Sequence, residues 1–172
     1  MKKKFEFNLS PTSISMFEQC QLQFYFEKLL NSESDTSNYP VYGLAGSAVH
    51  TAIEKGFTNA QFNKLWKEFG ISKLKGIHGH NVKREEFWKY VLGARAFLKQ
   101  LNLTMYQQEV EIRIPFIESL QISLGFKGII DFLVTDPVNP MIIDWKTGTP
   151  QKKDEKQAIH YAFLYWMIKG KI

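Results

Sequence analysis

The spacing of apolar residues changes once along this 172-residue chain, and the change divides it into two parts. Up to about Leu101 apolar residues recur at helical intervals; from Gln108 they alternate. In the first part, Phe87, Val91, Ala94 and Leu98 form one stripe of a helix expected over Lys83–Leu101. In the second, Val110, Ile112 and Ile114 alternate with Glu109, Glu111 and Arg113, which predicts a half-buried strand over Gln108–Pro115. A second strand is expected over Leu120–Val134, bending near Gly125 or Gly128. Asp136–Pro140 reads as a turn, Met141–Lys146 as a short third strand, and Lys153–Ile168 as a final helix. In that helix Ala158, Tyr161, Ala162, Tyr165 and Trp166 suit packing.

Earlier, Ser10 and Pro11 mark a helix start, because serine caps and proline fits the first turn. Asn31–Pro40 and Ile71–His80 read as loops, and Phe62–Phe69 as a short helix. A further helix begins near Leu44, where Ala45, Gly46, Ser47 and Ala48 permit close backbone approach. The expected class is α/β (α+β): a small mixed sheet flanked by helices, after an N-terminal helical region. One domain over residues 1–172 is expected, with 9–101 mostly helical and 106–168 holding the sheet and last helix. Strands joined by short turns are antiparallel, so a parallel strand after the final helix would complete the sheet. Counted this way, the sheet is one strand short, unless a partner supplies the edge.

Composition narrows the setting. No apolar run approaches the roughly 20 residues that span a bilayer. The start, Met1 to Glu6, is basic without an apolar segment after it, so no signal peptide is expected. With Cys20 alone, no internal disulfide or four-thiolate site can be built from this chain, and a reducing cytoplasmic setting fits. The net charge is +5, and Gln61–Gln100 holds nine basic residues against three acidic ones. Such a surplus suits a surface that meets nucleic-acid phosphates, with Lys83, Arg84, Lys89 and Arg95 as candidate contacts. A pair of solvated helix faces is the alternative.

Three charges stand inside short apolar strands: Asp131 after Gly128, Ile129 and Ile130, then Asp144 and Lys146 around Trp145. Unpaired burial of an acid is costly. Side chains alternate along a strand, so Asp144 and Lys146 share a face and Trp145 takes the other. Two neighbouring carboxylates repel and retain protons unless a cation neutralises them. Asp131, Asp144 and Lys146 together fit a divalent-metal site for phosphodiester cleavage.

The pattern G-I-I-D, then I-I-D-W-K-T-G, then Q-A-I-H-Y at Gln157–Tyr161 resembles the PD-(D/E)XK nuclease superfamily. Within it the chain is most similar to the RecB-like exonuclease branch, with AddB-type, CRISPR-adaptation and phage members. Leu9–Ile14 with Cys20 and Phe24–Phe26 resembles that branch's first helix, and Gly46–His50 its histidine motif. The resemblance implies a restriction-endonuclease-like core and a Mg²⁺- or Mn²⁺-dependent DNA nuclease of replication, recombination or repair. It implies metal ligation by His50, Asp131, Asp144 and the backbone carbonyl of Trp145, and catalysis by Lys146. Gln157 and Tyr161 would hold the site and the DNA strand, and Glu111 would sit behind the ligands or assist a second metal; read alone, Tyr161 is more often a core residue and Glu111 equally a surface strand acid. Single strands or duplex ends are the implied substrate. Helicase motifs are absent, so an unwinding partner would be another chain.

Branch members that carry an iron–sulfur cluster use one early and three late cysteines. Only Cys20 matches, so no cluster is expected, and Cys20 is expected to be a small buried apolar residue. The competing readings are a DNA-binding or scaffolding module that does not cut, and a subunit of a larger nuclease complex.

Overall fold

The computed structural model describes residues 5–30, 41–74, 81–118, 122–148 and 152–170. The predicted loop Asn31–Pro40 lies outside these residues, as do positions 75–80 of the second predicted loop. The elements run β1 (Phe5–Leu9), α1 (Pro11–Gln19), α2 (Gln21–Phe24) and a π-helical turn (Tyr25–Leu29). They continue as α3 (Val41–Glu54), α4 (Asn59–Glu68), a 3₁₀ turn (Ile71–Lys73) and α5 (Arg84–Leu101). β2 (Tyr106–Glu118), β3 (Ile122–Val134), β4 (Met141–Ile143) and α6 (Lys152–Lys169) complete the order.

Ile14, Phe17, Leu22, Phe24 and Phe26 recur at mostly helical intervals, but the first helix ends at Gln19. Ser10 caps α1 in a reciprocal box with Ser13, and Pro11 takes the first turn. At Cys20 the backbone turns extended, and its Sγ accepts the Gln23 amide at 3.4 Å to start α2. Cys20 is exposed. This corrects the expectation of a buried residue: a cap at a helix break is held at the surface.

Among the described residues the sheet has four strands, with β3 at its centre. β2 runs antiparallel along one side of β3. The other side is shared end to end. β1 pairs parallel with Ile122–Phe126, and β4 pairs antiparallel with Phe132–Val134. The parallel strand therefore comes from the N-terminus, which corrects the count of three strands and a missing edge. Its alternation of Phe5, Phe7 and Leu9 with Glu6 and Asn8 is the period of a strand. Among the described residues, the gap between β1 and β4 leaves 127–131 without a strand partner on that side. There the Lys127 carbonyl accepts from His160 Nε2 at 3.1 Å.

Two apolar layers hold this frame. In one, Ala45, Ala48, Val49 and Ala52 of α3 pack with Phe62 and Trp66 of α4 and Phe87, Val91 and Ala94 of α5. Alanines let the helices approach, and the aromatic rings fill the space between them. In the other, Ile112 and Ile130 of the sheet pack with Leu133, Tyr161 and Leu164. Ile130 and Leu133 sit in one layer although three residues apart, so strict alternation fails between them. Opposite this irregularity, Glu109 has φ 49°, a left-handed conformation costly for a side-chain-bearing residue. Trp145 joins the helical layer to the sheet, meeting Phe97 at 6.4 Å and Phe132 at 6.4 Å between ring centroids.

Candidate active site

α3 brings His50 to the sheet. Gly43, Gly46, Ser47, His50 and Glu54 recur at helical spacing on the face that lines a cleft of about 430 Å³. Gly46 sits close to the β4 end of the site: a Cβ there would lie a tight 3.1 Å from Thr147 Oγ1. Across the cleft stand Glu109 and Asp131. The β2–β3 register places these two opposite each other, between the pairs Gln108↔Phe132 and Val110↔Ile130. His50 Nδ1 lies 3.3 Å from Asp131 Oδ1, and one ligand atom each from His50, Glu109 and Asp131 fall within 4.8 Å of one another.

The electrostatics of this group call for a cation. Asp131 has only 10% of its side chain exposed, and its Oδ2 accepts the Trp145 amide at 2.7 Å. Burial raises the Glu109 pKa, and the charges of Asp131 and Glu54 add to it. Burial pulls His50 down, but its hydrogen bond to Asp131 and the charges of Asp131, Asp144 and Glu109 hold its pKa above the ordinary value. One imidazole nitrogen and two carboxylate oxygens are a donor set that Mn²⁺ or Mg²⁺ accepts, with further oxygens completing the shell.

The second half of the site follows β4. Lys146 Nζ donates to Asp144 Oδ2 and, at 2.7 Å, to Gln157 Oε1. Gln157 Nε2 donates to Asp144 Oδ1 at 3.1 Å and to the Tyr161 hydroxyl at 2.7 Å. Gln157 and Tyr161 sit one turn apart on α6, so one amide spans lysine, acid and phenol. Gly128 makes this possible, because a Cβ there would meet Leu164 Cδ1 at 2.6 Å and Tyr161 Cε1 at 3.0 Å. Burial pushes the Tyr161 pKa up to about 12, so the phenol stays protonated. Burial also raises Asp144, against the pull of Lys146.

The structure thus brings together His50, Asp131, Asp144, Lys146, Gln157 and Tyr161. Asp144 is held by Lys146 and Gln157, while the metal-type cluster takes its third donor from Glu109. On that strand the sequence pointed to Glu111, behind the ligands or beside a second metal, with a surface acid as the equal alternative. Glu111 instead pairs with Arg113 and, at 3.3 Å, with Lys127, and these cations hold its pKa down. Both acids share the alternating face; only the register with β3 distinguishes them.

The basic candidates divide as well. Lys83 and Lys89 are exposed. Arg84 donates to Asn59 Oδ1 at 2.6 Å and lies 5.8 Å from the Phe62 ring centroid. Arg95 donates to the Ala52 carbonyl at 3.1 Å and the Phe57 carbonyl at 2.5 Å, and lies over Trp88. Both guanidinium groups are engaged within the helical layer. Tyr161 is 5% exposed, with its ring in the core and its hydroxyl bound to Gln157.

Among the described residues, no helix is long and apolar enough to cross a membrane. Neither the curated proteins nor the solved structures contain a match to the chain. A family model does match it, that of the PD-(D/E)XK nuclease superfamily, over residues 8–168. That span holds both halves of the site and nearly the whole sheet, and the chain belongs to the PD-(D/E)XK nuclease superfamily.

Proposed function

We propose that this chain is a Mg²⁺- or Mn²⁺-dependent deoxyribonuclease of the RecB-like kind. In this reading it works as an exonuclease on DNA ends or single strands in phage or bacterial replication, recombination or repair. The carrying observation is that a His50–Glu109–Asp131 cluster lies within electrostatic reach of Asp144, which with Gln157 holds Lys146. His50, Glu109 and Asp131 would hold the cation, with Asp144 and the Trp145 carbonyl beside them. When bound, the cation supplies positive charge against the phosphate and the leaving oxygen and acidifies the attacking water.

The protein groups do the rest. Lys146 donates to the phosphate or its attacking water as negative charge builds. Asp144 and Gln157 fix the ammonium, and Tyr161 fixes Gln157. A groove lined by Tyr90, Gly93, Phe97 and Trp145 runs to Lys146, and the half-exposed rings of Tyr90 and Phe97 offer stacking surfaces to an unpaired strand.

The test is a cleavage panel of linear, circular, single- and double-stranded DNA with Mg²⁺ or Mn²⁺. Wild type should degrade linear DNA, and Asp144→Ala and Lys146→Ala should do so far more slowly. Robust cleavage by both variants would sink the nuclease assignment to this site. Equal cleavage of circles would refute exonuclease action, and salt-sensitive binding without cutting under either metal would mark a non-cleaving module.

A further inference from the structure

A further cleft, of about 370 Å³, is lined in part by Lys146. One wall is α1, through Pro11, Thr12, Ser15 and Glu18; the other is Lys146 with Asp154, Lys156 and Gln157. The cleft thus begins at the groups that meet the scissile phosphate and leads away from them. Its charges balance, with Lys146 and Lys156 against Glu18 and Asp154. One contact spans it. Lys156 Nζ lies 2.8 Å from Glu18 Oε1 and 2.7 Å from Glu18 Oε2, although 138 positions separate the two residues.

We infer that this cleft seats the backbone phosphate next to the scissile one, with Lys156 as its cation and Glu18 as an internal anion that the phosphate displaces. This rests on the nuclease reading and deepens it. Glu18 offers Lys156 two oxygens, as a phosphate would. Both side chains are largely exposed, at 48% and 63%, so the pair is weak and exchangeable. A phosphodiester gains more, because binding the lysine also releases condensed counterions from the nucleic acid. The Thr12 side chain adds a hydroxyl donor to the same wall. Glu18 therefore keeps Lys156 on the cleft in the resting protein and lowers its affinity for competing anions.

The experiment is a double-mutant cycle in DNA binding. Fluorescence anisotropy of a short dye-labelled oligothymidylate is read in EDTA, which prevents turnover, across a salt series. Glu18→Gln should bind about fivefold more tightly at low salt, the scale of an exposed ion pair. Lys156→Gln should bind more weakly, with its salt slope reduced by about 0.7, and Lys156→Arg should restore binding. The double variant should match Lys156→Gln alone, because the gain from removing Glu18 requires the lysine. An equal Glu18→Gln gain in both backgrounds would overturn the inference, as would an unchanged slope in Lys156→Gln. If wild type cleaves DNA while the substitutions act independently, only this inference falls. If wild type neither binds nor cleaves DNA, the nuclease reading falls with it.

Discussion

The two halves of the site are built from opposite materials. The His50 half gathers donors from α3, β2 and β3 and is short of positive charge, so its carboxylates repel. The Lys146 half carries its own cation and joins its members by hydrogen bonds through Gln157. Their supports differ too. His50 rides on a helical layer filled with alanine and aromatic side chains and braced by Arg84 and Arg95. Lys146 depends on α6, which buries Tyr161 and Leu164 against the sheet but exposes Ile159, Trp166, Met167 and Ile168. One half thus offers donors that an added ion would complete, whereas the other already carries its own cation.

Substitutions should separate the halves. Asp131→Asn should have the largest effect, because it removes a donor, the partner of His50 and an anionic acceptor for the Trp145 amide. Cation binding and cleavage should both fall to background, measured by Mn²⁺ titration and DNA degradation. Lys146→Ala should retain cation binding but cut more slowly, by a factor on the order of 10²–10⁴. Gln157→Ala, which removes one partner each of Lys146, Asp144 and the Tyr161 hydroxyl, should cost about 10–100-fold in rate.

Stability changes should follow the supports. Gly128→Ala should cost about 1–3 kcal/mol in urea unfolding, because Leu164 and Tyr161 must move away from the sheet. Arg95→Ala, in the other layer, should cost about 2 kcal/mol through its two lost carbonyl partners. The smallest effect is one of pH. Burial holds the His160 pKa below its ordinary 6.5, against the pull of its bond to the Lys127 carbonyl. The unfolded chain then takes up the proton first, so stability should be unaffected above about pH 6.5 and fall below it. Urea titrations of His160→Gln should lack that part of the acid loss.

Much of this arrangement is legible in the sequence where a residue contradicts its surroundings. Asp131, Asp144 and Lys146 break apolar runs, and Ser10 and Pro11 announce a helix. Legibility ends where the deciding partner is distant. Glu109 and Glu111 look alike until β3 fixes the register. Arg84 and Arg95 read as surface cations until Asn59, Ala52 and Phe57 fold over to accept from them. β1 is different: its alternation is readable, but it is short and follows a lysine cluster, and the parallel partner lies more than 100 residues away.

The central claim is that cation binding and chemistry reside in separate halves. Calorimetric Mn²⁺ titration of wild type, Asp131→Asn and Lys146→Ala tests it most directly. The account predicts one site in wild type, the same affinity in Lys146→Ala, and no binding in Asp131→Asn. Unchanged binding in Asp131→Asn, or its loss in Lys146→Ala, would contradict it.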